Sequence, residues 1–519
     1  MTVLPESTPS QRWLWPRRLG GVAYPGRLAP PVWLALLGAA FLGISLVGLV
    51  LPYNLFRLGL RPYLNIANLT NGHPLAQAGF VLTLAALAGL YYLAWRACRA
   101  AGQATAGGQP RAMWVALLGA VLAINLAMLW LYPVDASDIF DNIDRGRISA
   151  QYGGNPFYEP PRQYVQDDFF KYVAWPDYTS AYGPLWELMA AATSRLAGQS
   201  TLANVLAFKT IGLLFYAGCV ALIASILRQR APERALQGVC LFALNPFVIY
   251  ETAGNGHNDI VMVFFILLGL CALLRGHFSW AALAWVAGGL VKFIPLLLLP
   301  VALAVVLRAL PTWRGRLRYA LITGLAAAAL SVAVFAPFWR GGDILAVQRR
   351  GTLFTASLPA LFQAQLEPGL GVDASQRMVA AVTALLTLTA VAYQAWRVWR
   401  ADPRGADWLA PVRASTHILL FYLVFACLWF QPWYTLWPLA LAALLPEGAV
   451  ARTVVLLSYA AAWKTIIFDD FVYTGGPLPS KVWRETLLGP ITLGLVWLYI
   501  AYRLLLGWRR SAMRRLRPT

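Results

Sequence analysis

Charged residues are scarce in this chain of 519 residues, since Asp, Glu, Lys and Arg make up only 12% of it. An average soluble domain is about one quarter charged. Hydrophobic residues reach 59%, and the mean hydropathy is +0.59. This composition excludes an ordinary soluble domain and indicates a polytopic membrane protein. Apolar stretches close to or above the roughly 20 residues that cross a bilayer occur at 31–52, 76–97, 113–133, 203–227, 317–338, 376–398 and 489–508.

Cysteine is also rare, and the five cysteines form no CxxC pair. They lie in or beside apolar stretches, so we expect small core residues and neither a disulfide framework nor a cysteine metal site. The sequence contains no Walker loop and no dinucleotide fingerprint. Residues 1–30 are polar and rich in Pro and Arg, without the apolar centre of a signal peptide. We therefore expect the first apolar stretch to act as an uncleaved anchor.

Acidic residues are outnumbered, 22 against 42 Lys and Arg, which gives a net charge of +20. In a soluble protein this excess would suggest a nucleic-acid partner. With a cytoplasmic N-terminus, however, most basic residues fall in cytoplasmic segments and most acidic residues fall outside, as the positive-inside rule requires. We therefore expect a multi-pass protein of the plasma (inner) membrane with both termini cytoplasmic and no nucleic-acid partner.

Assigning the basic segments to the cytoplasmic side also predicts how the chain crosses the membrane. We expect an all-α polytopic membrane protein with about 12–14 transmembrane helices, in which a single domain spans 31–508 between basic tails at 1–30 and 509–519. A large outer loop covers 134–202, and its segment 184–198 is predicted to be an interfacial helix. Three short hairpins have their tips outside, at 251–259, 291–295 and 430–434.

The outer loop opens with "VDASDIFDNIDRGRI", in which Asp135, Asp138, Asp141 and Asp144 recur every third residue. In a helix over 135–150 with Ser137 near its N-cap, each step of three residues rotates the side chain by about −60°. The four carboxylates then spread around the helix and do not converge, which argues against a metal site made of all four.

Two other interpretations of the aspartates remain: a solvated acidic helix face, and a catalytic base with neighbours. Asp141 has Arg145 at i+4, and Asp144 has Arg147 at i+3. For Asp141 and Asp144 we favour the solvated face. Asp138 has no local cation and lies near the apolar boundary, where a carboxylate has a raised proton affinity. It is the candidate base, with Asp135 as the alternative.

Two further groups of polar residues are candidates for function. His257, Asn258 and Asp259 lie in "GNGHND", a Gly/Asn loop that can approach a ligand closely, although polar capping of a helix from Asn258 is an alternative. Lys292 is either a phosphate ligand or an interfacial lysine that reaches towards water. Ionisable groups at membrane depth are costly, which favours a functional role for Asp259 and Lys292.

Several motifs together resemble those of bacterial GT-C glycosyltransferases, in particular polyprenol-phosphate-mannose-dependent mannosyltransferases and glycosyltransferase-87-like enzymes. They are "SDIFDNIDRGRISAQYGGNPFY", "YGPLWELM", "NGHNDIVM", "GLVKFIPLLLLP" and "QPWYTLWPLAL". The resemblance covers about 113–445 and implies a GT-C-type bundle whose first large outer loop carries the catalytic aspartate. That aspartate matches Asp138. The family often has an aromatic residue four positions later, where this chain has Asn142.

The resemblance implies transfer of a hexose, expected to be mannose, from a polyprenyl-phosphate donor to a lipid or glycan acceptor at the outer face. We expect inversion with Asp138 as base. Nucleotide sugars are unexpected donors, because they are cytoplasmic and the acidic residues face outward. No cofactor and no metal ligand is expected, although the use of a divalent metal ion stays open.

The candidate ligands of the donor phosphate or the substrate are His257, Asn258, Asp259, Lys292, Arg349 and Arg350. The candidate lining of the substrate groove is Asn155, Tyr182, Gln431, Trp433 and Tyr434, with Trp437 beside Trp433 at an apolar rim for the polyprenyl chain.

The main alternative is a secondary transporter or lipid flippase. Such a protein favours ionisable residues in mid-span and two similar halves, whereas this sequence shows no obvious internal repeat and concentrates its acidic residues in an outer loop. Other GT-C activities, such as arabinosyl or glucosyl transfer or transfer to protein, would use the same site and remain open.

Overall fold

The computed structural model describes residues 18–19, 22–23, 28–58, 65–70, 73–104, 110–135, 137–342, 353–401, 407–468 and 481–515. Apart from two strands of two residues each, Arg18–Leu19 and Val22–Ala23, which pair antiparallel, the regular structure of these residues is helical. The predicted all-α polytopic fold is confirmed.

Twenty α-helices follow one another along the described chain. They are α1 (Pro30–Ser45), α2 (Leu55–Leu58), α3 (Ile66–Thr70), α4 (Pro74–Ala104), α5 (Arg111–Met128), α6 (Asp138–Tyr152), α7 (Pro184–Ala197), α8 (Thr201–Arg230), α9 (Ala235–Ala243), α10 (Pro246–Ile249), α11 (Asp259–Leu274), α12 (Phe278–Gly289), α13 (Leu299–Ala309), α14 (Trp313–Phe335), α15 (Leu358–Leu370), α16 (Val372–Arg400), α17 (Leu409–Phe421), α18 (Leu436–Ala442), α19 (Ala449–Phe468) and α20 (Lys481–Arg515).

Eight of the described helical segments are long and apolar enough to cross a membrane. They overlap the seven long apolar stretches of the sequence and add Leu409–Ala426. Large apolar side chains are often exposed on the surfaces of these helices, and Val332, Leu385 and Leu498 are all more than half exposed. Such exposure is expected for side chains that face lipid and not water.

The predicted hairpin tips are breaks in the helices. Helices α10 and α11 are parts of one bent pair, Pro246–Gly254 and Asp259–Leu274, whose axes differ by 119°. Shorter apolar helices at Phe278–Gly289 and Ile294–Ala309 flank the second tip. Counting the bent pair as one span gives nine candidates in the described chain, so the number of 12–14 spans stays a prediction.

Helices α6 and α7 both lie in the segment 134–202, which the sequence predicts to be an outer loop. Helix α6 has Ser137 at its N-cap, as predicted, and ends at Gly153, whose φ of 65° is readily adopted by glycine. Helix α7 begins at Pro184, where a proline without an N–H is favourable, and it coincides with the predicted interfacial helix. Helices α6 and α7 pack against each other, and α7 also contacts α8.

Candidate functional site

The candidate site lies where helices α6 and α11 begin. Asp138 is the first residue of α6, and Asp259 is the first residue of α11. The two segments are tied together just before these helices, because the backbone N–H of Asp135 donates to Oδ1 of Asn255 at 3.2 Å. The motifs "VDASD" and "NGHND", which are far apart in sequence, therefore meet at one place.

Asp138 is the one aspartate of the four that is not buried, with 21% of its side chain exposed. The hydroxyl of Tyr182 donates to Oδ2 of Asp138 at 3.1 Å. Nδ1 of His257 lies 4.0 Å from the same oxygen. A substrate can therefore reach this carboxylate, whose orientation is held by a neighbouring hydroxyl.

Lys292 lies beside the ring of Tyr182, and the hydroxyl of that tyrosine donates to Asp138. Nζ of Lys292 lies 2.8 Å from Oδ1 of Asp259, and the indole N–H of Trp437 donates to the same oxygen at 2.6 Å. The ammonium also lies 4.5 Å from the ring centroid of Tyr434 and 5.5 Å from that of Tyr182. Asp259 thus orients Lys292, and this pairing does not favour the predicted role of Asp259 as a direct phosphate ligand.

The backbone brings Tyr182 and Lys292 together. The N–H of Gly183 donates to the carbonyl of Val291 at 2.9 Å, and the N–H of Leu185 donates to that of Leu290 at 3.0 Å. A Cβ on Gly183 would lie 2.1 Å from the Leu290 carbonyl oxygen, so a glycine is needed for this approach. The "YGPLW" motif therefore docks directly on the hairpin tip that carries the lysine.

The aromatic residues of "QPWYTLW" pack against His257 and against one another. Trp433 stacks on His257 with ring centroids 3.9 Å apart and an angle of 15° between the planes. Trp437 stacks on Tyr434 at 4.5 Å and is only 1% exposed. The predicted place of Trp437 at the rim of a groove for the polyprenyl chain is not favoured, because this indole is packed inside the protein and bonded to Asp259.

The other predicted site residues have different surroundings. Asn155 is buried and bonds to the backbone, donating to the carbonyl of Phe338 at 2.7 Å and accepting from the N–H of Phe157 at 3.1 Å. Gln431 is buried and accepts from Lys464 at 2.6 Å. Asn258 is the N-cap residue of α11, yet its side chain makes no capping bond. Arg349 and Arg350 lie outside the described residues.

The prediction of a solvated face for Asp141 and Asp144 is wrong, because both side chains are buried. Helix α7 covers α6 closely, and a Cβ on Gly146 would lie 2.6 Å from the Ala190 carbonyl oxygen. Burial raises the pKa of Asp141 to about 6 and that of Asp144 to about 7, although Arg145 opposes both shifts. Both carboxylates are therefore internal groups of the segment 134–202.

The ion pairs of α6 agree only partly with the predicted ones. Arg145 lies 4.0 Å from Asp141, as predicted. Arg147 instead bonds to the carboxylate of Asp167 through Nε at 3.0 Å and Nη2 at 2.8 Å. Burial raises the pKa of Asp167, but the bonds from Arg147 and other donors outweigh it and leave that pKa below its usual value. The long connection after α6 is thereby fixed to the helix.

Sequence reasoning missed two buried ionisable residues near the site. Glu251 is fully buried and lies 3.2 Å from Nε2 of His257 through its Oε2. Lys209 is also fully buried, and it donates to the carbonyls of Leu129, at 3.2 Å, and Leu131. Lys209 occurs within an apolar segment and Glu251 directly follows one, and the cost of an ionisable group in such surroundings was a signal that could have identified them.

The site therefore combines one accessible carboxylate with an ammonium and two helix N-termini. A carboxylate can accept a proton from a hydroxyl. An ammonium and the partial positive charge of a helix N-terminus both stabilise negative charge. Tyr182 contacts both the carboxylate and the ammonium, so the arrangement is suited to displacing an anionic leaving group while an acceptor loses a proton.

The chain is similar in sequence to known mannosyltransferases. The sequence model of the family described as "Alpha-(1->6)-mannopyranosyltransferase, N-terminal domain" matches residues 65–308. The chain is similar to alpha-(1->6)-mannopyranosyltransferase A of Mycobacterium tuberculosis, with 25% identity over 57% of this chain and 58% of that protein. It is also similar to alpha-(1->6)-mannopyranosyltransferase B of Corynebacterium glutamicum, with 30% identity over 28% of this chain and 24% of that protein.

The matched regions cover less than two thirds of either relative. The family match includes the outer loop and both site motifs, at 134–138 and 254–259. The single-domain organisation over 31–508 stays a prediction. The resemblance inferred from the motifs is confirmed: residues 65–308 match the model of the alpha-(1->6)-mannopyranosyltransferase N-terminal domain, in a chain with several membrane-spanning helices.

Proposed function

We propose that the protein transfers mannose from a polyprenyl-phosphate donor to a lipid or glycan acceptor at the outer face of the membrane. The observation that carries this proposal is the placement of Asp138, an accessible carboxylate, across Tyr182 from Lys292. The names of the relatives support mannose as the sugar. The positive-inside distribution of Arg and Lys supports the outer face.

The reaction is a single displacement at the anomeric carbon. Asp138 accepts the proton of the acceptor hydroxyl, and the acceptor oxygen forms a bond to that carbon. The bond from the carbon to the phosphate oxygen breaks, and the polyprenyl phosphate leaves with the electron pair. Lys292 stabilises the charge on the leaving phosphate. Because the displacement inverts the anomeric carbon, a β-linked donor gives the α-linked product that the names of the relatives describe.

The test is reconstitution of the full chain in liposomes with polyprenyl-phosphate mannose and candidate lipid or glycan acceptors. We expect Asp138→Asn to lower the transfer rate by about 10²–10⁴-fold, the usual contribution of a general base. Asp177→Asn is a matched control, since Asp177 is an exposed aspartate paired with Arg162. An undiminished rate for Asp138→Asn would remove Asp138 from the mechanism.

The same liposomes distinguish the alternative class. A transporter or flippase would move a solute or lipid across the bilayer without forming a glycosyl product. Transport that continues in Asp138→Asn, together with no product in the wild type, would contradict the transferase proposal. Replacing the mannose of the donor by glucose or arabinose tests the choice of sugar within the same assay.

A further inference from the structure

Three side chains that can bind a metal ion converge beside Asp138. Asp135 precedes helix α6, Glu251 lies in the turn Tyr250–Gly254, and His257 lies in the loop before α11. Each residue offers one ligand atom, and these atoms all lie within 4.8 Å of one another. All three side chains are more than nine-tenths buried. One imidazole and two carboxylates are thus gathered in a small interior space.

The loop that carries these groups is held in place by its own backbone. The N–H of His257 donates to the carbonyl of Glu251 at 3.0 Å, and that of Gly256 donates to the carbonyl of Thr252 at 3.0 Å. Gly256 has a φ of 75°, which favours glycine, and a Cβ there would lie 2.5 Å from Ile139. His257 and Glu251 are therefore directed at one point without help from a ligand.

Two of these side chains have bonding capacity that the described part of the chain does not use. Neither ring nitrogen of His257 makes a hydrogen bond, and Oε1 of Glu251 makes none. Oε2 of Glu251 accepts from the side-chain amide of Asn255 at 3.2 Å and lies 3.2 Å from Nε2 of His257. Buried polar groups in native proteins are nearly always bonded, so a ligand for Glu251 and His257 is to be expected.

The carboxylates of Asp135 and Glu251 also favour a bound cation. Lys292, which lies nearby, is already paired with Asp259, and Lys209 donates to backbone carbonyls. A charged carboxylate is costly to bury, and the side chain of Glu251 lies fully inside the protein. We propose that Asp135, Glu251 and His257 bind one divalent transition-metal ion, Zn²⁺ or Mn²⁺, since a set of imidazole and carboxylate ligands suits these ions. Only Asp135 of this set belongs to the four regularly spaced aspartates, so their divergence around helix α6 does not exclude the site. The set departs from the expectation that the chain has no metal ligand.

The proposed ion lies next to His257, which faces Asp138, so the ion would position the catalytic aspartate. This role rests on the proposed function. With Nε2 of His257 directed at the metal, Nδ1–H points towards Asp138, whose Oδ2 lies 4.0 Å away. Imidazoles that bind metals commonly donate their other N–H to a carboxylate, which fixes the orientation of the ring. The ion would then act as a positioning group for the catalytic aspartate and for the Trp433 indole stacked on His257.

The test measures metal binding without substrate, so its failure is distinguishable from failure of the transferase proposal. The purified full chain in detergent is stripped with a chelator and titrated with Mn²⁺, followed by electron paramagnetic resonance, and with Zn²⁺, followed by elemental analysis. We expect about one equivalent per chain, and Glu251→Gln should weaken binding by about 10-fold or more. Asp177→Asn should bind as the wild type does.

Asp135→Asn is the second variant of the same set, in case Glu251→Gln does not fold. No binding of either ion by the wild type would overturn the proposal and favour a proton shared between Glu251 and Asp135. Equal affinity of the wild type and a folded ligand variant would also overturn it. Metal binding without mannosyl transfer would contradict the proposed function alone.

Discussion

Tyr182 donates a hydrogen bond to Asp138 at 3.1 Å while its ring lies 5.5 Å from the ammonium of Lys292. One side chain thus contacts both the proposed base and the proposed phosphate-stabilising cation. The hydroxyl makes the contact with Asp138, and the aromatic ring makes the contact with Lys292. A substitution can therefore remove one contact and keep the other.

Tyr182→Phe removes the hydroxyl and keeps the ring. Hydrogen bonds to charged groups contribute about 1.5–3 kcal/mol, so loss of the bond should lower kcat by about 10-fold or more through misorientation of Asp138. The KM for the donor should change little, because the ring over Lys292 remains. Steady-state transfer kinetics measure both constants. Tyr178→Phe, at an exposed tyrosine of the same loop, is the control, and an unchanged kcat in Tyr182→Phe would argue against the orienting role.

Lys292→Gln should lower the transfer rate by about 10²-fold or more, because the leaving phosphate loses its cation. It also leaves Asp259 as an unpaired buried charge, which typically costs about 3–5 kcal/mol. The double variant Lys292→Gln/Asp259→Asn should therefore recover much of the lost Tm without recovering activity. Thermal unfolding and transfer assays on the same preparations separate the two effects. Recovery of activity in the double variant would contradict the role assigned to Lys292.

Gly183→Ala introduces a Cβ at 2.1 Å from the Leu290 carbonyl oxygen, where backbone meets backbone. The two segments must separate, at a cost of about 1–3 kcal/mol, and the distance between Tyr182 and Lys292 must change. We expect a lower Tm together with a lower kcat. Gly119→Ala is the matched control, since nothing lies within 4 Å of its Cβ position. Wild-type activity in Gly183→Ala would show that the site tolerates a looser junction.

Asp144 should make the folded state less stable as the pH rises. Burial raises its pKa to about 7 in the folded state, so the folded protein holds this proton more tightly than the unfolded chain does. The stabilisation is complete at low pH and is lost as the pH rises from about 4 to about 7. Asp144→Asn cannot ionise, and its Tm should exceed that of the wild type most clearly near pH ~8, above both pKa values. A parallel pH dependence of Tm in both proteins would exclude Asp144 as its source.

Much of the helical framework could be predicted from the sequence, because long apolar stretches and turn residues depend on local composition. The break at 251–259 and the helix start at Ser137 follow from such signals. The motifs also indicated which segments carry the polar groups. The meeting of Tyr182, Lys292 and Asp138 required tertiary contacts that spacing alone does not specify.

The incorrect predictions share one physical cause, which is that local spacing does not reveal what covers a helix. Asp141 and Asp144 would be solvated on a single uncovered helix, but α7 covers them. Arg147 bonds to Asp167, farther along the chain, because a buried bidentate pair is available there. Glu251 opens the predicted tip 251–259, but only the folded loop directs its side chain at His257.

Helices α6 and α11 both begin at the site, and their peptide dipoles are a permanent source of positive potential. Each N-terminus is equivalent to roughly half an elementary charge. This part of the field neither titrates nor depends on a side chain that substitution can remove. A chain with only 12% charged residues can thus present an anion-stabilising surface with few ammonium groups, and this contribution should vary little across the physiological pH range.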